Sequence, residues 1–136
     1  MSKLTVLDSK FASLYYYQEQ KIVQHRFHRE LDSDHLREVL NRGVDLLHEN
    51  KACKWLSDNR AINAHSPEDT QWINNVWLPE AIAAGWKYWA LVVPDDFYAR
   101  INMNEFVNSF WEMGVRIMVF VDPDEAMRWL ENVDRR

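Results

Sequence analysis

Cysteine is nearly absent: Cys53 is the only one. A lone cysteine rules out an intramolecular disulfide and any CxxC metal or redox pair, and its place in a strand-like stretch suggests a buried, inert thiol. Glycine is almost as scarce. Three glycines, each at or within a helical pattern, cannot build a phosphate-cradling loop, and four prolines leave little room for disordered linkers. No apolar run has the length of a signal peptide or a membrane span, so a cytoplasmic protein without membrane insertion is expected. There is no basic face either. The net charge is −5 with both signs interspersed, and the one basic cluster is the terminal Arg135-Arg136. Nucleic-acid backbones demand clustered positive charge, which excludes that partner class. No Gly-x-Ser-x-Gly elbow surrounds Ser57, and His25 and His28 fall on opposite faces of a strand, where they cannot share a metal. With no complete nucleophile, metal or phosphate motif, a non-catalytic module without a cofactor is expected.

Aromatic residues, by contrast, are plentiful. Seven Trp, five Tyr and six Phe are more than a single 136-residue domain easily buries, so a partly exposed aromatic surface is expected. The stretch from Lys87 to Pro94 organises the rest. Its apolar, β-branched and aromatic run reads as a strand buried on both faces, as in the middle of a parallel sheet. Helical patterns flank it, ending at Gly85 and Gly114, and a second apolar strand runs from Val115 to Val121. That alternation is the signature of right-handed βαβ units.

Along the chain, residues 1–10 read as a short strand or a loose arm, and residues 11–136 as the α/β domain proper. Phe11 to Tyr17 and Ile22 to His28 form an antiparallel hairpin about the polar turn Gln18 to Lys21. Ser33 to Glu49 carries apolar residues at helical spacing, with Asp32 or Ser33 as cap and Asn50 as left-handed terminator. Ala52 to Ser57 is the third strand. Ser66-Pro-Glu-Asp69 opens the next helix as cap, first-position proline and carboxylate, and Pro79 should kink it or restart it. Asp95 to Ile101 is a loop or a single helical turn. Asn102 and Asp122 cap the last two helices. The order is β-β-α-β-α-β-α-β-α, a mostly parallel sheet with an antiparallel N-terminal hairpin.

Ligands of open α/β sheets bind beyond the carboxyl ends of the strands. There stand Asp58, Asn59 and Arg60, then Asp95 and Asp96, then Asp122. Three strand-end acids would suit a hard cation, but helix capping is the stronger reading of Asp122 and a plausible one of Asp95 or Asp96, so no metal site is expected. The candidate ligand site joins Asp58, Asn59 and Arg60 to Trp72 on the following helix and to Phe97 and Tyr98 as a covering flap. Arg60 either grips a carboxylate or phosphate bidentately or simply pairs with Asp58.

In its order of elements, and in Lys54-Trp-Leu-Ser-Asp-Asn-Arg60, Ser66-Pro-Glu-Asp-Thr70, Gly85-Trp-Lys-Tyr-Trp-Ala90 and Phe120-Val-Asp-Pro-Asp-Glu-Ala126, the chain resembles the STAS domain. That is the fold of bacterial anti-sigma-factor antagonists (SpoIIAA-like) and of sulfate-transporter cytoplasmic domains. The likeness, over residues 11–132, is to a stand-alone bacterial branch. It implies a regulatory module acting through a protein partner. Antagonists carry a phosphorylatable Ser or Thr in an Asp-Ser-small-Gly context, but here Ser57 precedes its Asp and Ser66 follows His65. The resemblance also implies helices stacked on one sheet face. Trp89 and Leu91 on one strand, with Met118 and Phe120 on the next, would then lie uncovered and build a homodimer interface. The related CRAL-TRIO lipid-transfer architecture implies an alternative, the carrying of a small apolar or amphipathic ligand.

Overall fold

A computed structural model describes residues 2–135. Six strands form one sheet in sequential order: β1 (Lys3–Asp8), β2 (Ala12–Tyr17), β3 (Ile22–Phe27), β4 (Lys54–Asp58), β5 (Tyr88–Val92) and β6 (Arg116–Phe120). The β1/β2 and β2/β3 pairs are antiparallel, and the remaining pairs are parallel. The chain is therefore α/β with a mixed sheet. Residues 3–8 form an edge strand, with an irregularity between Thr5 and Leu7. The β2–β3 turn closes through Lys21, whose φ is +55°.

Three connections join parallel neighbours. They are α1 (Ser33–Asn50), then α2 (Pro67–Trp72) and α3 (Leu78–Ala83), then α4 (Asp95–Arg100) and α5 (Met103–Trp111). Strands laid down in one direction by crossovers of one hand put all their helices on one face. On that face Leu36, Val39, Leu40 and Leu47 of α1 pack with Trp55, Trp77, Leu78 and Ala81, while Phe106 and Phe110 of α5 cover Leu91 and Val119. Gly43 is required in mid-helix because a Cβ there would collide with the Trp55 indole. The last helix, α6 (Pro123–Asn132), is different. It sets Ala126 and Leu130 on Leu56, Ala90 and Val92, which point to the other face.

Caps match the sequence pattern with one exception. Asp32, Ser66, Asn102 and Asp122 accept backbone N–H bonds at the starts of α1, α2, α5 and α6. The left-handed terminator of α1 is Lys51 (φ +52°) rather than Asn50, whose side-chain amide instead donates to the Leu46 carbonyl. At Pro79 the regular helix starts again, since α3 begins with the proline in its first turn, but the chain never leaves the helical path. A wider turn, the π-turn Ile73–Trp77, joins α2 to α3, with the Leu78 N–H reaching back to the Ile73 carbonyl. Proline lacks the N–H that a regular turn uses and its ring crowds the carbonyl four residues back, so one wide turn relieves both demands.

The aromatic surplus is largely internal. Trp55, Trp77 and Trp86 are buried and meet edge to face or tilted, with ring centroids 5.3–6.0 Å apart. Trp86 passes the contact to Trp89, and Trp89 to Phe110, each at 5.0 Å. Only Trp111 is strongly exposed among the tryptophans, so the expected aromatic surface is much smaller than the composition suggests.

Candidate functional site

The register of the parallel strands builds a floor. His25, Ser57, Leu91 and Val119 lie abreast on β3, β4, β5 and β6, facing the α1 side, and Trp89 and Phe27 flank that row. Beyond the carboxyl end of the sheet, the 59–65 loop and the π-turn wall one side, and Phe106 and Phe110 of α5 wall the other. Between them lies a predominantly apolar pocket of about 400 Å³. Its volume is in the range of small-molecule sites. The π-turn contributes Ile73, Asn74 and Trp77 to the wall. Such wide turns recur at functional sites.

Polarity in this pocket is fixed by a chain of hydrogen bonds. The Trp55 indole N–H donates to His25 Nδ1 at 3.0 Å. An indole can only donate, so Nδ1 is unprotonated and the proton sits on Nε2. That N–H lies 2.8 Å from Asn59 Oδ1 and donates to it. The orientation of the Asn59 amide follows: its oxygen is occupied, and its NH₂ has no partner among the described residues. A parallel chain ends at Ser57, whose Oγ accepts the Trp89 indole N–H at 2.9 Å, leaving the serine O–H without an acceptor among the described residues. Full burial holds the His25 imidazole down to about 4, against the opposing pull of the Asn59 hydrogen bond and Asp58, so it is neutral at pH 7. Burial also lowers His65, at the rim near Asp69.

The sequence-level candidates divide between two places. Asp58 and Arg60 do not enter the pocket. Side chains alternate along a strand, so Asp58 turns with Leu56 to the α6 side while Ser57 turns to the pocket. There Arg60 Nε and Nη2 grip the Asp58 carboxylate at 2.9 and 2.8 Å, and Arg26 approaches to 4.0 Å, around a shallow recess of about 240 Å³. Arg60 is thus paired bidentately with Asp58. Asn59 and Phe97 line the pocket, Phe97 as an exposed residue at its mouth. Tyr98 is exposed and is not part of the lining, and Trp72 packs on the core under the Arg37 guanidinium, 4.9 Å from its ring.

The four interface candidates do not share a surface. Trp89 and Leu91 face the helix-covered side, where Leu91 is buried, whereas Met118 and Phe120 face the α6 side. Phe120 packs against Trp129 of α6. His25 is fully enclosed, and with Ser57 and Trp77 it belongs to the pocket that the sequence candidates only touched. The two-residue period counted from Trp55 was the available signal, since it carries Ser57 and Asn59 to one side and Asp58 and Arg60 to the other.

No family model, curated protein or solved structure matches the chain. Its own geometry carries the functional argument. Among the described residues, no helix is long and apolar enough to cross a membrane.

Proposed function

We propose that this chain is a non-catalytic binding module that holds a small, mostly apolar molecule in the pocket at the carboxyl edge of its sheet. The observation that carries this is a pocket of about 400 Å³ walled by Phe27, Trp77, Trp89, Phe106 and Phe110 with a few fixed polar groups. Apolar walls with sparse, positioned polar groups are the general form of small-ligand sites. The pocket's buried imidazole supports binding over turnover, because both His25 nitrogens are already engaged, by Trp55 and by Asn59. The STAS resemblance adds a regulatory role, in which occupancy is read by a protein partner.

The test uses the uncharged fluorophore N-phenyl-1-naphthylamine. Trp77 and Trp89 line the pocket, so saturable one-to-one quenching of tryptophan emission is expected. Ala64 is an exposed rim residue, and Ala64→Trp should block the mouth and abolish the quenching without unfolding the chain. An unsaturable signal, or one indifferent to Ala64→Trp, would remove the pocket as the working site.

A second reading, self-association as a homodimer, is favoured by Trp111, Met113, Met118 and Val121, all exposed on or beside the edge strand β6.

A further inference from the structure

The pocket lining contains no Asp, Glu, Lys or Arg. Its only titratable side chains are His25 and His65, and burial favours the neutral form of each. A charged ligand group placed there would lose its hydration and meet no counter-ion, which is among the most costly transfers in a protein. The guanidinium next in sequence to Asn59, that of Arg60, is paired with Asp58 behind the sheet, where Arg26 also lies.

The lining also carries Asn63, Thr70 and Asn74, all exposed to water, but two better shielded hydrogen-bond donors are left over as well, and they are neighbours. Ser57 and Asn59 stand two residues apart at the end of β4, so they project to the same side of the sheet. Each terminates a hydrogen-bond chain that begins at an indole. Trp89 N–H donates to Ser57 Oγ, and Trp55 N–H donates to His25, which donates to Asn59 Oδ1. Because an indole never accepts, both chains run in one direction, and the free ends are a serine O–H and an amide NH₂. Successive hydrogen bonds polarise one another, which strengthens the terminal donors. Ser57 is only 4% exposed, so a ligand acceptor reaching it is well shielded from water.

We propose that Ser57 and Asn59 form a donor pair selecting an uncharged aromatic or aliphatic ligand that carries a hydrogen-bond acceptor of the ketone, ester or amide type. The proposal rests on the pocket being the binding site, and it narrows the ligand class. Fatty acids and other carboxylates are disfavoured, because the pocket offers donors but no balancing positive charge. A hydrocarbon without an acceptor fits the walls and leaves both donors unanswered.

The experiment displaces N-phenyl-1-naphthylamine from the full chain with three probes of similar shape: 2-acetylnaphthalene, 2-ethylnaphthalene and 2-naphthoate. The ketone is expected to bind about tenfold more tightly than the ethyl compound, the scale of one well-placed hydrogen bond, and the carboxylate most weakly. Asn59→Asp keeps an oxygen for His25 but has no amide donor, so within that variant the ratio of ketone to ethyl affinity should fall from about ten toward one, whatever its absolute affinities. Ser57→Ala should reduce the same advantage by a separate route, which keeps the test decisive if one variant folds poorly. Equal affinities for ketone and ethyl compound, or tightest binding of 2-naphthoate, would overturn the donor pair while leaving the pocket intact. Absence of any N-phenyl-1-naphthylamine binding would instead remove the pocket, and the donor pair with it.

Discussion

His25 concentrates the residue-scale physics. An imidazole in water titrates near 6.5, and burial takes this one to about 4. The folded state therefore resists a proton that the unfolded chain accepts readily. Stability from this group is complete above about pH 6.5, and it is lost as the pH falls toward 4. Protonation would also put a hydrogen on Nδ1, facing the Trp55 N–H with no acceptor between them. Wild type should lose about 2 kcal/mol through His25 between pH 7 and pH 4.5, the integrated linkage for such a shift. His25→Gln isolates this, because an amide can accept from Trp55 and donate to Asn59 without titrating. The variant is expected to be less stable at pH 7, having lost the stack on Phe27 at 4.1 Å, but flatter with pH. Urea midpoints of both chains at the two pH values check it, and equal acid slopes would mean that the proton is taken up elsewhere.

At the scale of elements, Ser66 shows how far capping chemistry can be read in a sequence. Its hydroxyl accepts the Asp69 N–H at 3.1 Å, and Pro67 follows at the first helical position. Ser66→Ala should cost about 1 kcal/mol, and Ser66→Asp should stay within about 0.5 kcal/mol of wild type in thermal or urea unfolding. A larger loss in the Asp variant, or a change in probe affinity with stability unchanged, would point to a switch rather than a cap. The caps, the parallel strands and the hairpin were legible because each rests on local chemistry: an oxygen before a helix, an apolar run, a polar turn. The π-turn was half legible. Pro79 announces a conflict within the helix, but whether a helix kinks, breaks or widens depends on what its flanks pack against. Here Trp77 and Leu78 before Pro79 and Ala81 after it are held in the core, so the chain stays continuous and the turn widens. Asp58 and Arg60 part from Asn59 for a simpler reason: three consecutive residues at a strand end cannot all point one way.

At the scale of the whole molecule, the face covered by each helix separates what a sequence can and cannot announce. Handedness of crossovers assigns α1 to α5 to one face as soon as the strand order is known, yet α6 connects to no further strand among the described residues, so that rule does not place it. Its docking on Leu56 and Ala90 is decided by burial alone, and it leaves the outer flank of β6 partly bare. The two edges of the sheet are unequal. β1 carries an irregularity at Thr5/Leu7, and its Lys3 ammonium lies 4.3 Å from the Tyr15 ring, both devices that discourage pairing. β6 is paired regularly to β5 along its length, and Arg116 is its only charged residue. Within it Met118 is 38% exposed, with Trp111, Met113 and Val121 nearby in sequence. A regular, weakly charged edge with apolar flanks invites a second copy, and a two-fold pairing of β6 with β6 would satisfy its free backbone groups symmetrically. The expected outcome is a dimer by light scattering at tens of micromolar, roughly the range of modest specific dimers. Met118→Lys should give a monomer of unchanged fold and probe affinity, since the side chain already reaches water and a charge on an edge opposes pairing. Wild type running as a monomer at that concentration would end the dimer reading, and a dimer that survives Met118→Lys would move the interface off this edge.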